Sequence, residues 1–236
     1  TAQNPITFTS TSSWSGIVFQ SGSSGEIAYA NINNATYGIQ CDGALPSIHN
    51  NTISGNAIGL YINNLGSMYW GPHIYSNVIE SNTYYGVYLY NSSLYIESNT
   101  IRNNGYDGIY CDWYSAPVLS YNTVTGNQYT GLVCRFFSPA YLGAGPGWNR
   151  ITGNNQGVIA DYESHTWLYY NSVFANTGYE ITAAYNSFVS ARSNWWGAYP
   201  PDNGEFLATS GGSIDYGNAL SWDPTGGGQQ NMIGGK

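Results

Sequence analysis

Three charged residues recur at near-equal intervals in a chain with few charges to place. Asp112, Arg135 and Asp161 follow one another at 23 and 26 residues, in a sequence of 236 residues that holds five Lys plus Arg and thirteen Asp plus Glu. Such a series suits chemistry on a sugar: Arg135 neutralises a substrate carboxylate or an oxyanion, and Asp112 and Asp161 act as acid and base. On successive stacked coils about 4.8 Å apart, the two carboxylates stand about 9.6 Å from each other, near the upper end of the separation that inverting glycosidases use. The alternative is a surface ladder in which opposite charges on neighbouring strands pair modestly, and that plainer reading is favoured. Asp42 extends the column. No cofactor is expected, with Ca²⁺ between the carboxylates or at Asp107 as the one exception the residues leave open. His165 beside Glu163 offers another base, although a lone surface His is usually only that.

Aromatic residues surround these charges. Tyr88, Tyr90, Tyr110 and Trp113 fall at outward positions near Asp112, with Tyr69 and Trp70 before them and Phe136, Phe137 and Tyr141 after. Exposed aromatic faces suit the C–H faces of sugar rings, and carboxylates accept hydrogen bonds from hydroxyls. Stacked outward tyrosines also stabilise a β-face by themselves. Two chain segments are long: Ile62 to Ile74 and Cys134 to Pro146 each take twelve residues, where other coils cross the same corner in seven or eight. Two loops at one corner, three coils or about 14 Å apart, would wall a trough over these aromatics.

A repeat must position all of this. The segments HNNTISGN, YSNVIESN, ESNTIRNN, SYNTVTGN, GWNRITGN and YYNSVFAN each set Asn two residues before a branched apolar residue and a second Asn three residues after it. The first series is Asn51, Asn77, Asn99, Asn122, Asn149, Asn171 and Asn194; the second is Asn56, Asn82, Asn104, Asn127, Asn154 and Asn176. A period of 22 to 27 residues, with short β-type runs between Asn and Gly corners, predicts one turn of a three-faced parallel solenoid. Like residues then stack on like, and each Asn column exchanges amide hydrogen bonds from coil to coil. The runs GIQCD, GLYIN, GVYLY, GIYCD, GLVCR and GVIAD add two more inward columns, one of which carries Cys41, Cys111 and Cys134. Three free buried thiols follow, because stacked parallel side chains keep neighbouring Cβ atoms too far apart for a disulfide.

The formal net charge of −8 argues against nucleic acid, which needs clustered cations. No apolar run reaches the roughly 18 residues of a membrane span. Abundant Asn, Ser, Thr, Gly and Tyr with a single Lys predicts an extracellular or cell-surface location. One β-helix domain is expected over residues 1–224, followed by a flexible Gly-rich tail over 225–236. The start lacks an amphipathic capping helix, so the domain is expected to be a monomeric piece of a longer multidomain chain.

With SNWWG at Ser193 to Gly197 and the ending GSIDYGNALSWDP, these repeats resemble bacterial right-handed parallel β-helix proteins of the pectin-lyase-like superfamily, in the broad NosD-like or parallel β-helix repeat group. The resemblance covers about Ile27 to Pro224 and implies an all-β, three-faced, right-handed parallel β-helix of about eight coils, with Trp195 and Trp196 in its terminal plug. It implies a polysaccharide or oligosaccharide partner, and lyase or hydrolase chemistry if the protein is an enzyme. The paired-Asp and His-Gly motifs of polygalacturonases, the Asp-Pro-His-Asp of alginate epimerases and the Arg-x-Pro-x-x-Arg of pectate lyases are all missing, so no catalytic role carries over. The alternative function is a non-catalytic spacer or surface-display module.

Overall fold

The computed structural model describes residues 4–66, 72–143 and 148–226. Its strands form three parallel sheets, each taking every third strand in chain order until the last turn, which adds a strand to the second and third sheets only. The first face holds eight strands, from Ile6–Phe8 to Ser172–Phe174; the second holds nine, from Ile17–Phe19 to Phe206–Ala208; the third holds nine, from Glu26–Ala28 to Ser213–Asp215. The protein is thus a three-faced parallel β-helix of about nine turns. The eight expected from the sequence fall one short, because the first and last turns lack the full Asn signature.

Register follows the predicted columns. Ile53, Ile79, Ile101, Val124, Ile151 and Val173 stand opposite one another along the first face and are buried. On the second face Leu60, Val87, Ile109, Leu132 and Val158 form one inward column, and Ile62, Leu89, Cys111 and Cys134 another. All three thiols are free and buried, as expected. Glycine opens the second-face strands from Gly38 to Gly157 because the turn leaves no room there: a Cβ on Gly59 would lie 2.5 Å from the Gly86 carbonyl oxygen and 2.7 Å from a methyl of Ile79.

Both asparagine ladders are formed. A left-handed residue precedes each Asn, for example Ser98 at φ 56° before Asn99 or Gly126 at φ 66° before Asn127, and turns the corner. At each rung the Nδ2 and the backbone N–H donate to Oδ1 of the Asn one coil on, and Nδ2 also donates to a backbone carbonyl one coil back. The amide donates two bonds and accepts two, which a serine hydroxyl with one proton and a carboxylate with none cannot do, and this explains why Asn repeats there. A third ladder runs between the second and third faces: the N–H of Ser92, Ser115, Ser138 and Ser164 each donates to the hydroxyl oxygen of the next serine in the series, ending at Ser187, at 3.0 to 3.1 Å.

Trp196 is buried and meets Phe206 edge-on at 4.9 Å, while Trp195 pairs its backbone with Ser172, so the paired tryptophans close the C-terminal core as predicted. Thr225, assigned to the tail, is anchored here through Asp223 and Arg150; residues 227–236 lie outside the described residues.

Candidate functional site

The second long segment does not widen the corner that the sequence suggested. Tyr141–Leu142 pairs with Val118 on one side and with Trp167 and Leu168 on the other, so Leu142, not Pro146, is the inward residue of its coil. Cys134 to Leu142 is an ordinary crossing of eight residues, and the surplus falls after Leu142, at the next corner. Among the described residues, then, the second wall of the expected trough is not formed at this corner. The misplacement arose because Pro146 and Leu142 are both plausible inward residues and spacing alone does not choose between them. Tyr69 and Trp70, expected in the other wall, lie outside the described residues, as does Pro146.

The remaining candidates divide among three surfaces. Tyr88 and Tyr110 stack on the outer second face, ring centroids 5.2 Å apart, with Tyr61 and Tyr85 beside them, and Tyr90 stands opposite Asp112. Tyr141 lies on the third face, stacked on Trp167 at 4.9 Å with planes 2° apart. Trp113 and Phe136 belong to the corner between these faces, where they stack at 5.5 Å and continue to Tyr162 and Tyr185 at 4.7 and 4.5 Å.

The charged series is brought together only in part. Arg135 faces Asp161, Nε to Oδ2 at 3.3 Å, and its guanidinium lies 5.0 Å from the centroids of both Phe136 and Tyr162. Asp112 turns to other partners: one oxygen accepts from the Tyr88 hydroxyl at 2.8 Å and the other from the Trp113 N–H at 3.1 Å. Burial opposes the charge of Arg135, but the hydrogen bond and field of Tyr110, with Asp161 and Tyr162, outweigh it and hold the guanidinium above its ordinary value. Burial also raises the Asp161 carboxyl, and the opposing pull of Arg135 and the Tyr162 N–H does not cancel it. The partners shift in ways that a tight pair would not. At 3.3 Å the contact is long for a charge-assisted bond, and Nε and Asp161 Oδ1 have no hydrogen-bond partner, so Asp161 is only one support of the cation beside Tyr110 and the rings of Phe136 and Tyr162.

These tyrosines keep their hydroxyl protons at neutral pH. Burial, then the bond to Asp112, holds the Tyr88 hydroxyl far above its ordinary value, and burial raises Tyr110 against the pull of Arg135. The other polar residues hold structure. Asp42 accepts from Gln40 and Asn63, Asp107 accepts from the Thr130 N–H at 2.8 Å, and His165 packs edge-on to Phe188. Among the described residues no group of three or more His, Cys, Asp or Glu could hold a metal ion.

The corner itself carries a step that sequence reasoning missed. One left-handed residue, Asn91 at φ 46°, separates Tyr90 from Ser92, and Asn64 at φ 53° occupies the same place one coil earlier. From the next coil on there are two: Trp113 and Tyr114 at φ 44° and 63°, then Phe136 and Phe137, then Tyr162 and Glu163. The corner thus broadens by one residue between Asn91 and Trp113. Bulky side chains seldom occupy this backbone region, and the cost is of order 1 kcal/mol or more each. Within the stack each ring covers its neighbour. Trp113 begins the stack, with the small Asn91 before it, so one face of its ring is left uncovered on the step; Trp113 and Tyr114 are 44% and 58% exposed. Their rings meet at 6.4 Å and 53°, and on the preceding coils the Asn91 amide donates to Oδ1 of Asn64 at 3.4 Å.

Stacked parallel turns, buried Asn ladders and three sheets define a right-handed parallel β-helix protein. The chain belongs to the right-handed β-helix region family, whose model matches residues 6–139. No curated protein and no solved structure matches the chain.

Proposed function

We propose that this β-helix is an extracellular module that binds a neutral glycan, without cleaving it, on the step formed by Trp113 and Tyr114. The single observation that carries the reading is the broadened corner, where two large aromatic side chains occupy left-handed backbone and leave ring surface exposed. A pyranose offers C–H groups to such a face, and amides such as those of Asn91 and Asn64, on the preceding coils of the same corner, match sugar hydroxyls. A neutral ligand suits the site, because Arg135 is enclosed by Asp161, Phe136 and Tyr162 and the chain is strongly acidic. Binding is favoured over cleavage because both oxygens of Asp112 are engaged and Arg135 stands against Asp161, so no free acid and base face one another.

The test is affinity electrophoresis or calorimetry against a panel of neutral and acidic polysaccharides, comparing the native chain with Trp113→Ala and Tyr114→Ala. Saturable binding to a neutral glycan, lost or weakened at least tenfold in both variants, supports the reading. Binding that both variants retain moves the site elsewhere. No binding to any glycan leaves the unbroken ladders as the main feature and the protein as a spacer.

A further inference from the structure

A buried carboxyl closes the second asparagine ladder at the opposite end of the molecule from the first coil. Through the ladder, Oδ1 of each Asn receives two donors from the coil before, as Asn176 does from the N–H and Nδ2 of Asn154 at 2.9 and 3.0 Å. After Asn176 there is no further Asn. Its N–H and Nδ2 donate instead to the two oxygens of Glu180, four residues on, the first at 3.1 Å. The Glu180 side chain is 3% exposed, and its own N–H donates to the carbonyl of Glu205 at 2.8 Å. Oε2 of Glu205 is itself buried and has no hydrogen-bond partner.

The charged groups that face Glu180 are acidic: Glu205 from the terminal turn, with Asp202 behind it. Among the described residues no cation balances them, because the four arginines are paired with Glu80, Asp161, Asp223 and Asp215. A carboxylate here serves the ladder well as an acceptor and suits its surroundings badly as an anion. A carboxylic acid keeps an acceptor oxygen for the ladder donors and removes the charge that the buried, unpartnered carboxyl of Glu205 opposes.

We propose that Glu180 is a proton-operated latch on the last turn: protonated and neutral beside Glu205, it holds the C-terminal coil more firmly than it does when ionised. The turn that depends on it, Phe206–Ala208, pairs with Ile181–Ala183 and places Phe206 against Trp196, so opening the latch uncovers the end of the core. Burial pushes the Glu180 carboxyl up to about 7 from an ordinary 4.5, with the Asn176 hydrogen bonds opposing the rise and the Glu205 charge adding to it. A group raised in the folded state gives stability that is fully present below its unfolded value and is lost as pH climbs through its folded value. The window here is therefore about 4.5 to about 7, and within it the open population grows by up to about tenfold per pH unit.

Hydrogen exchange of residues 178–184 and 203–208, corrected for intrinsic rates and followed from pH 4.5 to 8, reads the latch directly. Protection in the native chain is expected to fall by up to about tenfold per pH unit and to level off above about 7, whereas Glu180→Gln, a permanently neutral side chain with an acceptor oxygen, gives a flat profile. Glu205→Gln moves the fall to lower pH, since it removes the charge that opposes ionisation of Glu180. A flat native profile overturns the proposal, and so does an unchanged slope in Glu180→Gln. Should that variant not fold, a ¹³C titration of Glu180 in the native chain decides, and a midpoint at the ordinary glutamate value overturns it.

Discussion

The side-chain amide of Asn99 donates to Oδ1 of Asn122 at 3.1 Å, and the backbone N–H of Asn99 reaches the same oxygen at 3.0 Å. Asn99 in turn accepts both donors of Asn77, at 2.9 and 3.0 Å, and gives its Nδ2 to the carbonyl of Ile74. Asn99→Ala removes one side chain and strands groups on two other coils. At about 1–3 kcal/mol for each buried polar group left unpaired, the expected loss is about 3 kcal/mol or more. Asn99→Asp restores the acceptor but not the donor, adds a buried charge and is expected to do no better. Urea denaturation should show a lower midpoint at unchanged slope, and a loss under about 1 kcal/mol would remove the ladder from the account of stability.

The parts legible in the sequence are those where only one residue type performs the task. An interior amide that must donate and accept selects Asn, so the ladders fixed period, faces and inward columns together. Serine accepts its ladder bond through a hydroxyl that the sequence uses everywhere, and the series from Ser92 to Ser187 was hidden by that abundance. The broadened corner was missed for a related reason. A stretch such as DWYSAP shows two aromatics but not their left-handed backbone, and an extra residue can be absorbed on either side of a corner. The partner of Arg135 was ambiguous because a long side chain reaches either neighbouring coil; ring stacking with Phe136 and Tyr162 settles it toward Asp161.

If the step at Trp113 is kept for binding, its backbone strain is a cost that stability alone would not retain. Trp113→Gly relieves a φ of 44° but also surrenders the stack with Phe136. These opposing terms are each about 1 kcal/mol, so the folding stability should change by less than about 1 kcal/mol while glycan affinity disappears. A large destabilisation measured by chemical unfolding would instead make the stack structural.

Arg135→Lys keeps the charge and loses the planar group that fits between two rings. The expected cost is about 1 kcal/mol of stability, within the range for partly exposed cation–π contacts, with no effect on glycan binding. An Asp112→Asn, Arg135→Ala double variant should match the native chain in a reducing-end assay, with neither releasing ends. Activity lost in that variant would establish catalysis at this corner and displace the binding-only reading.

The C-terminal strap makes a prediction of opposite sign to the Glu180 latch. Asp223 accepts from Nη1 of Arg150 at 2.8 Å, from the hydroxyl of Ser172, and from the N–H and hydroxyl of Thr225 at 2.9 and 2.7 Å. Burial tends to raise its carboxyl, but the Ser172 and Thr225 hydrogen bonds, together with Arg150, outweigh this and hold it below the ordinary 3.8. A depressed acid gives stability that is present above its unfolded value and is lost as pH falls through the folded one, so the strap should loosen only below about 3.8. Glu180, by contrast, loosens its turn as pH rises from about 4.5 to about 7. Protection of residues 219–226 is therefore expected to drop at strongly acid pH, and that of 203–208 toward neutral pH, leaving both firm only between the two ranges. Asp223→Asn should already be loose at pH 5 and lose its acid dependence, leaving the Glu180 profile unchanged. Coincident loss of both segments at one pH would mean that the end of the helix opens as a unit and that neither carboxyl acts alone.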